Sequence, residues 1–282
     1  MSEEEVRRVV PRHGGWVEVA IRRARAPSAL TPLVLVPGVG GPRETFYHQV
    51  EAFAADRDVI ATSLNPAQAE GVEPIDSAAR DVLAVLDALG VERADVLGAS
   101  FGSCATARLT EIAPTRVRRQ VWVAPPVIHH APWRAAFGPG WLVGGAMMKF
   151  SPARYRGEVV KLIVARRAYS PEPDLSELEL NLLAGRVTDT ELAPFFRRVS
   201  GLRDWDWRRL TTPSPRPALV IQGAREHAVT PLDVRRAWER LSGRPIALTG
   251  GTHMPYLSFP QDFNRIVGSW LGGAEDASAR VI

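Results

Sequence analysis

Short apolar runs recur along the chain with helical patterns between them. Leu33 to Val36, Val59 to Thr62, Ala94 to Leu97, Gln120 to Val123, Ala218 to Ile221 and Pro245 to Leu248 are largely continuous rather than alternating. Such runs read as strands covered on both faces, hence as a parallel sheet. Ile75 to Leu89 has its apolar residues at helical spacing, with Ile75, Ala78, Val82, Val85, Leu86 and Leu89 on one stripe and Gly90 placed to end the helix. Ahead of these, Arg7 to Val10 and Trp16 to Arg22 are β-rich segments flanking the turn-forming stretch Pro11-Arg12-His13-Gly14-Gly15, which predicts an antiparallel hairpin. Alternation of strand and helix predicts an α/β fold with right-handed crossovers.

The rhythm breaks between His129 and about Trp207. That stretch is rich in Trp, Met, Phe and Arg, is broken by Pro171, Pro173 and Pro194, and has no convincing buried strand, while the strand pattern resumes after Pro213, Pro215 and Pro217. It reads as a helical lid inserted at 128–207 into a core made of 1–127 and 208–282.

Composition narrows the class. With 282 residues, 45% hydrophobic and 23% charged, the chain is expected to be globular and able to bury a sizeable core. Cys104 is the single cysteine, so an internal disulfide or a cysteine-rich zinc module is excluded, and a reducing, cytoplasmic setting fits. No apolar run approaches the roughly 18 residues of a membrane span, and the acidic start gives no signal-peptide pattern. The net charge of +4 invites a nucleic-acid partner, but Lys149 and Lys161 are the only lysines and the arginines are scattered among 31 acidic residues. The expected partner is therefore a small-molecule substrate, with no nucleic acid and no integral membrane segment; oligomeric state stays open.

Gly98-Ala99-Ser100-Phe101-Gly102 matches G-x-S-x-G between the strand ending at Leu97 and a helical run from Ser103 to Ala113. A sharp strand-to-helix turn exposes the serine hydroxyl at the sheet's carboxyl edge, and the glycines let neighbouring chain pass close. Serine needs a base to take its proton, and the base needs a carboxylate to fix its tautomer. Glu226 follows the strand ending at Ile221 and His253 follows the last strand, so all three belong to one sheet edge in the order serine, acid, histidine. Asp204 and Asp206 are alternative acids.

These residues carry a resemblance. Outside the lid the chain resembles an α/β-hydrolase over nearly its whole length, which implies a mostly parallel central sheet flanked by helices, an inserted cap and no cofactor. Pro37-Gly38-Val39-Gly40-Gly41 is similar to the family's oxyanion loop, implying that the amides of Val39 and Phe101 hold an oxyanion; Pro37 stands where a histidine is usual. Together with Thr249-Gly250-Gly251-Thr252-His253-Met254-Pro255-Tyr256-Leu257, the glycine loop and the serine motif are also similar to the maspardin branch, which implies an adapter as the alternative to an enzyme. The resemblance implies a serine-dependent esterase-like hydrolase acting on an ester, thioester or lactone, with acyl transfer or cyclisation as variants of the same chemistry. Its usual acid is an aspartate, where this chain offers Glu226.

Trp133, Trp141, Met147, Met148 and Phe150 are candidates to line an apolar acyl pocket, or simply to pack the lid. His129-His130 lacks a carboxylate at helical spacing, so no metal site is expected. Cys104 reads as a buried filler.

Overall fold

In the computed structural model the described residues are 4–11, 14–40, 42–66, 71–126, 146–147, 149–152, 154–156, 158–159, 192–205, 216–226 and 246–273. The strands are β1 (Glu4–Val9), β2 (Val17–Arg22), β3 (Leu33–Val36), β4 (Val59–Thr62), β5 (Ala94–Ala99), β6 (Val117–Val123), β7 (Ala218–Gly223) and β8 (Ile246–Thr249). They form one eight-stranded sheet in the order β1-β2-β4-β3-β5-β6-β7-β8. β1 and β2 form the expected antiparallel hairpin, β2 joins β4 antiparallel, and every pairing from β4 through to β8 is parallel. The strands begin or end a little outside the apolar runs: β6 starts at Val117, because Arg118 and Arg119 extend the strand with polar side chains, and β5 runs on to Ala99.

The helices are α1 (Tyr47–Phe53), preceded by a short 3-10 turn at Arg43–Phe46, then α2 (Pro74–Ala88), α3 (Phe101–Ile112), α4 (Leu192–Asp204), α5 (Pro255–Ser258) and α6 (Pro260–Leu271). α2 starts where Pro74 supplies a preset φ at the first helical position and the Glu73 side chain accepts the amides of Ile75 and Asp76. Its end at Leu89 is followed by Gly90 with φ +66.

Strand alternation divides the core into two layers. Val34, Val36, Val96, Trp122 and Val220 face the layer holding α2 and α3, whereas Leu33, Leu35, Leu97, Val121, Leu219 and Ile221 face the layer holding α1 and α6. Both faces being covered is the physical reason that these strands carry no polar alternation. No helix among the described residues is long and apolar enough to cross a membrane.

The amino-terminal edge of the sheet is held by charge. Asp95, fully buried, accepts from Arg118 Nε at 2.9 Å, from Arg57 Nη1 at 3.3 Å and from the Arg119 amide at 3.2 Å, while Arg118 Nη2 also reaches the Leu271 carbonyl at 2.8 Å at the end of α6. Burial pushes the Asp95 carboxyl up from its ordinary range, against the pull of the Arg118 guanidinium. Arg118→Met is expected to cost about 3 kcal/mol, since it leaves a buried carboxylate without its best partner and frees the end of α6. Urea denaturation of the variant against wild type measures it.

Candidate active site

The carboxyl ends of the parallel strands meet along one edge, and the loops leaving β3, β5, β7 and β8 bring the expected residues there. Ser100 lies between β5 and α3 with φ 50 and ψ −113, and with Ala124 (φ 43) it is one of two non-glycine residues of positive φ among those described. A side chain in that region costs about 1–3 kcal/mol and persists only where the surroundings impose it. Here they do. The Ser100 amide donates to the Val123 carbonyl at 2.8 Å, and the buried Ser103 hydroxyl shares its proton between the carbonyls of Gly98 at 2.8 Å and Val123 at 3.0 Å.

The two glycines of the motif are required by close backbone approach. A Cβ on Gly98 would stand 2.1 Å from the Gly102 carbonyl oxygen, and one on Gly102 would stand 2.2 Å from that of Val36. Through the second approach α3 seats directly on the end of β3, where the glycine loop begins. Gly38 in that loop faces the serine, a Cβ there lying 3.5 Å from Ser100 Cβ. The Phe101 amide opens α3, in the first helical turn, where amides have no acceptor within the helix and carry the positive end of its dipole.

On the far side, the loops after β7 and β8 are laced together. Ala224 and Arg225 donate their amides to the carbonyls of Thr249 and Gly251 at 2.9 Å each, and Gly223 approaches so closely that a Cβ would lie 2.0 Å from the Thr252 carbonyl oxygen. Glu226 Oε2 lies 2.8 Å from His253 Nδ1. The Glu226 side chain is completely buried and that of His253 is 18% exposed, so the carboxylate is withdrawn from water while the imidazole keeps an open side. With Nδ1 facing a carboxylate, Nε2 is left as the ring's proton acceptor.

A second lacing joins the helices that follow the glycine loop and the histidine loop. Gln49 on α1 donates to the Tyr256 carbonyl at 2.9 Å and to Asn264 at 3.0 Å, and the Phe46 and Tyr256 rings sit 5.1 Å apart.

Of the residues expected in an apolar pocket, Met147 is 38% and Phe150 79% exposed. Trp133, Trp141 and Met148 lie outside the described residues, as do His129, His130 and the alternative acid Asp206. Cys104 is fully buried on α3, and burial pushes its thiol well up, which makes it inert. Sequence reasoning missed Ser103 and Arg198, the latter on α4. Ser103 directly follows the motif's last glycine, Gly102, and reads as an ordinary helix residue, while nothing in Phe195-Phe196-Arg197-Arg198 distinguishes one arginine from its neighbour.

Steric demand separates the glycines. Gly102→Ala is expected to cost more than about 3 kcal/mol, because the main chain of Val36 and Pro37 must move, whereas Gly38→Ala, meeting only ordinary contact, is expected to stay within about 1 kcal/mol of wild type. Denaturant midpoints of the two variants give the comparison.

The family model described as alpha/beta hydrolase fold matches residues 31–260. A stretch of 92 residues is 37% identical to the dihydrolipoyllysine-residue acetyltransferase component of the acetoin cleaving system of Pseudomonas putida, covering 31% of this chain and 25% of that protein. A stretch of the same length is 39% identical to the putative carbamate hydrolase RutD of Azorhizobium caulinodans, covering 31% of this chain and 35% of that protein. The matches thus span between a quarter and about a third of the length of these curated relatives. Among solved structures, the esterase RhEst1 from Rhodococcus sp. ECU1013 is similar in fold, with a TM-score of 0.75 and 22% identity over 97% of this chain and 100% of that one. With the family model covering most of the chain and the sheet order and strand-edge loops already described, the chain belongs to the alpha/beta hydrolase fold family.

Proposed function

We propose that this protein is a serine-dependent hydrolase that cleaves an ester, thioester or lactone of a small to medium apolar substrate through an acyl-enzyme. The observation that carries the reading is the 2.8 Å approach of the buried Glu226 carboxylate to His253 Nδ1 on the sheet edge where Ser100 is held at φ 50.

In this mechanism Ser100 Oγ attacks the substrate carbonyl carbon as His253 Nε2 takes the hydroxyl proton. Glu226 keeps Nδ1 protonated and stabilises the imidazolium by its charge. The amides of Val39 and Phe101 donate to the oxyanion of the tetrahedral intermediate, a contribution worth about 3 kcal/mol per donor in such sites. Collapse expels the alcohol or thiol, which receives the proton from Nε2, and the acyl group stays on Ser100. Water, deprotonated by the same nitrogen, then attacks the ester carbon, and the acid leaves with Ser100 reprotonated. With serine as nucleophile the intermediate is an acyl ester, not the alkyl ester that an aspartate there would form.

The reading includes a cap over 128–207 that sets specificity and a soluble, cytoplasmic protein. Trp133, Trp141, Met147, Met148 and Phe150 are proposed as the residues that contact the apolar part of the substrate.

Ser100→Ala is expected to lower ester turnover by a factor on the order of 10³ or more with the melting temperature unchanged, and to abolish labelling by a fluorophosphonate. A Ser100→Ala variant with wild-type turnover overturns the assignment; absence of both turnover and labelling in wild type favours a binding or adapter role. Glu226→Gln keeps size and removes charge, so kcat is expected to fall strongly while the fold stays intact.

Acyl chain length tests the cap. Each methylene buried contributes about 0.8 kcal/mol, so kcat/KM is expected to rise about fourfold per added carbon from acetyl esters until the pocket is full. A flat series across acetyl to decanoyl esters contradicts an apolar roof.

A further inference from the structure

α4 comes from the carboxyl end of the lid segment, yet its inner face meets the core at the glycine loop. An added Cβ on Gly40 would lie 3.0 Å from Phe195 Cε2, so the ring of Phe195 closes on that glycine. Three residues on, Arg198 is buried at 5% exposure and its guanidinium bonds two main-chain carbonyls, Nη1 to Val39 at 3.4 Å and Nη2 to Asn65 at 2.5 Å. One turn further, Leu202 joins the core layer beneath α2 and Gly201 packs on Pro74.

A buried cation is ordinarily matched by a carboxylate at ion-pair distance. Arg198 has no such pair among the described residues. Asp81 acts on it only through space, and burial lowers the guanidinium to about 10. Its hydrogen bonds go to the loop that carries Val39 and to the loop leaving β4. A planar fork suits this task, since two of its N–H groups reach carbonyls from separate segments at once.

We propose that Arg198 is a positioning residue that sets the oxyanion loop from the cap, by clamping the Val39 carbonyl against the Asn65 carbonyl. Holding the carbonyl on one side of Val39 restricts rotation of the residue whose amide, on the other side, faces the developing oxyanion. The cap then has two tasks, roofing the substrate and completing the oxyanion hole. This rests on the hydrolase reading above.

The test compares wild type, Arg198→Met, Arg198→Lys and Leu202→Ala in the full chain. The readouts are kcat and KM on a short-chain nitrophenyl ester, inhibition by an arylboronic acid, and melting temperature. Methionine fills the buried space without bonding the carbonyls. For Arg198→Met, kcat is expected to fall about 10- to 100-fold with KM changed less than about twofold, and boronate inhibition to weaken by a similar factor, the pattern of a loss confined to the transition state. Arg198→Lys, which keeps charge but not the fork, is expected to fall between Arg198→Met and wild type. Leu202→Ala loosens the same helix face without touching the loop, and is expected to lower the melting temperature while kcat stays within about twofold. Wild-type kcat in Arg198→Met, or in Arg198→Lys should the methionine variant not fold, overturns the proposal. An equal loss of kcat in Leu202→Ala at matched stability also overturns it. Absence of Ser100-dependent turnover in wild type brings down the hydrolase reading along with it, whereas turnover that needs Ser100 and ignores Arg198 brings down this inference alone.

Discussion

The contact on which the rest depends is the approach of α3 to the end of β3. A Cβ on Gly102 would lie 2.2 Å from the Val36 carbonyl oxygen, so only glycine lets the helix sit there. That seating puts the amino end of α3 beside the glycine loop and forces Ser100 to φ 50 on the way out of β5. The strain is held by the Ser100 amide and the Ser103 hydroxyl bonding to carbonyls of β5 and β6. A serine at such a strand-to-helix turn is the arrangement on which the proposed role of Ser100 rests. The energy stored at one residue is balanced by packing over two layers of core.

The same principle recurs on the far side of the edge with different parts. Glu226 and His253 arrive on separate strands, and their pairing depends on main-chain bonds between the loops after β7 and β8 and on the close passage of Gly223 beneath Thr252. Gln49 on α1 bonds the Tyr256 carbonyl of α5, the helix that follows the histidine loop. Backbone contacts, more than side-chain packing, therefore determine where each functional group stands. The ion-pair network around Asp95 lies at the opposite end of the strands, so electrostatic anchoring of the sheet is kept apart from the site.

Much of this was legible in the sequence because the relevant signals are local. The apolar runs mark their strands to within a few residues, since strands covered on both faces have no polar alternation to blur them. That Glu226 and His253 would meet, as they do at 2.8 Å, was readable because each stands in the loop a few residues after such a run. The bonds of Ser103 were not readable, for they depend on how β6 lies beside β5. Arg198 was hidden for a related reason: its partners are the carbonyls of Val39 and Asn65, far away in the chain, and main-chain acceptors leave no mark on a sequence. The first residue of β6 was also misplaced, because Arg118 and Arg119 are polar for reasons of ion pairing and a cation over Trp270, not of exposure.

The proposed hydrolysis passes through an ester on Ser100. Rapid acid quench during turnover of a nitrophenyl butyrate, followed by intact-mass measurement and peptide mapping, tests it most directly. A single added butyryl group is expected on the peptide carrying Ser100, removable by hydroxylamine and accumulating when the second step is slowed. Ester turnover with no adduct, or with the acyl group mapped to another residue, would contradict it.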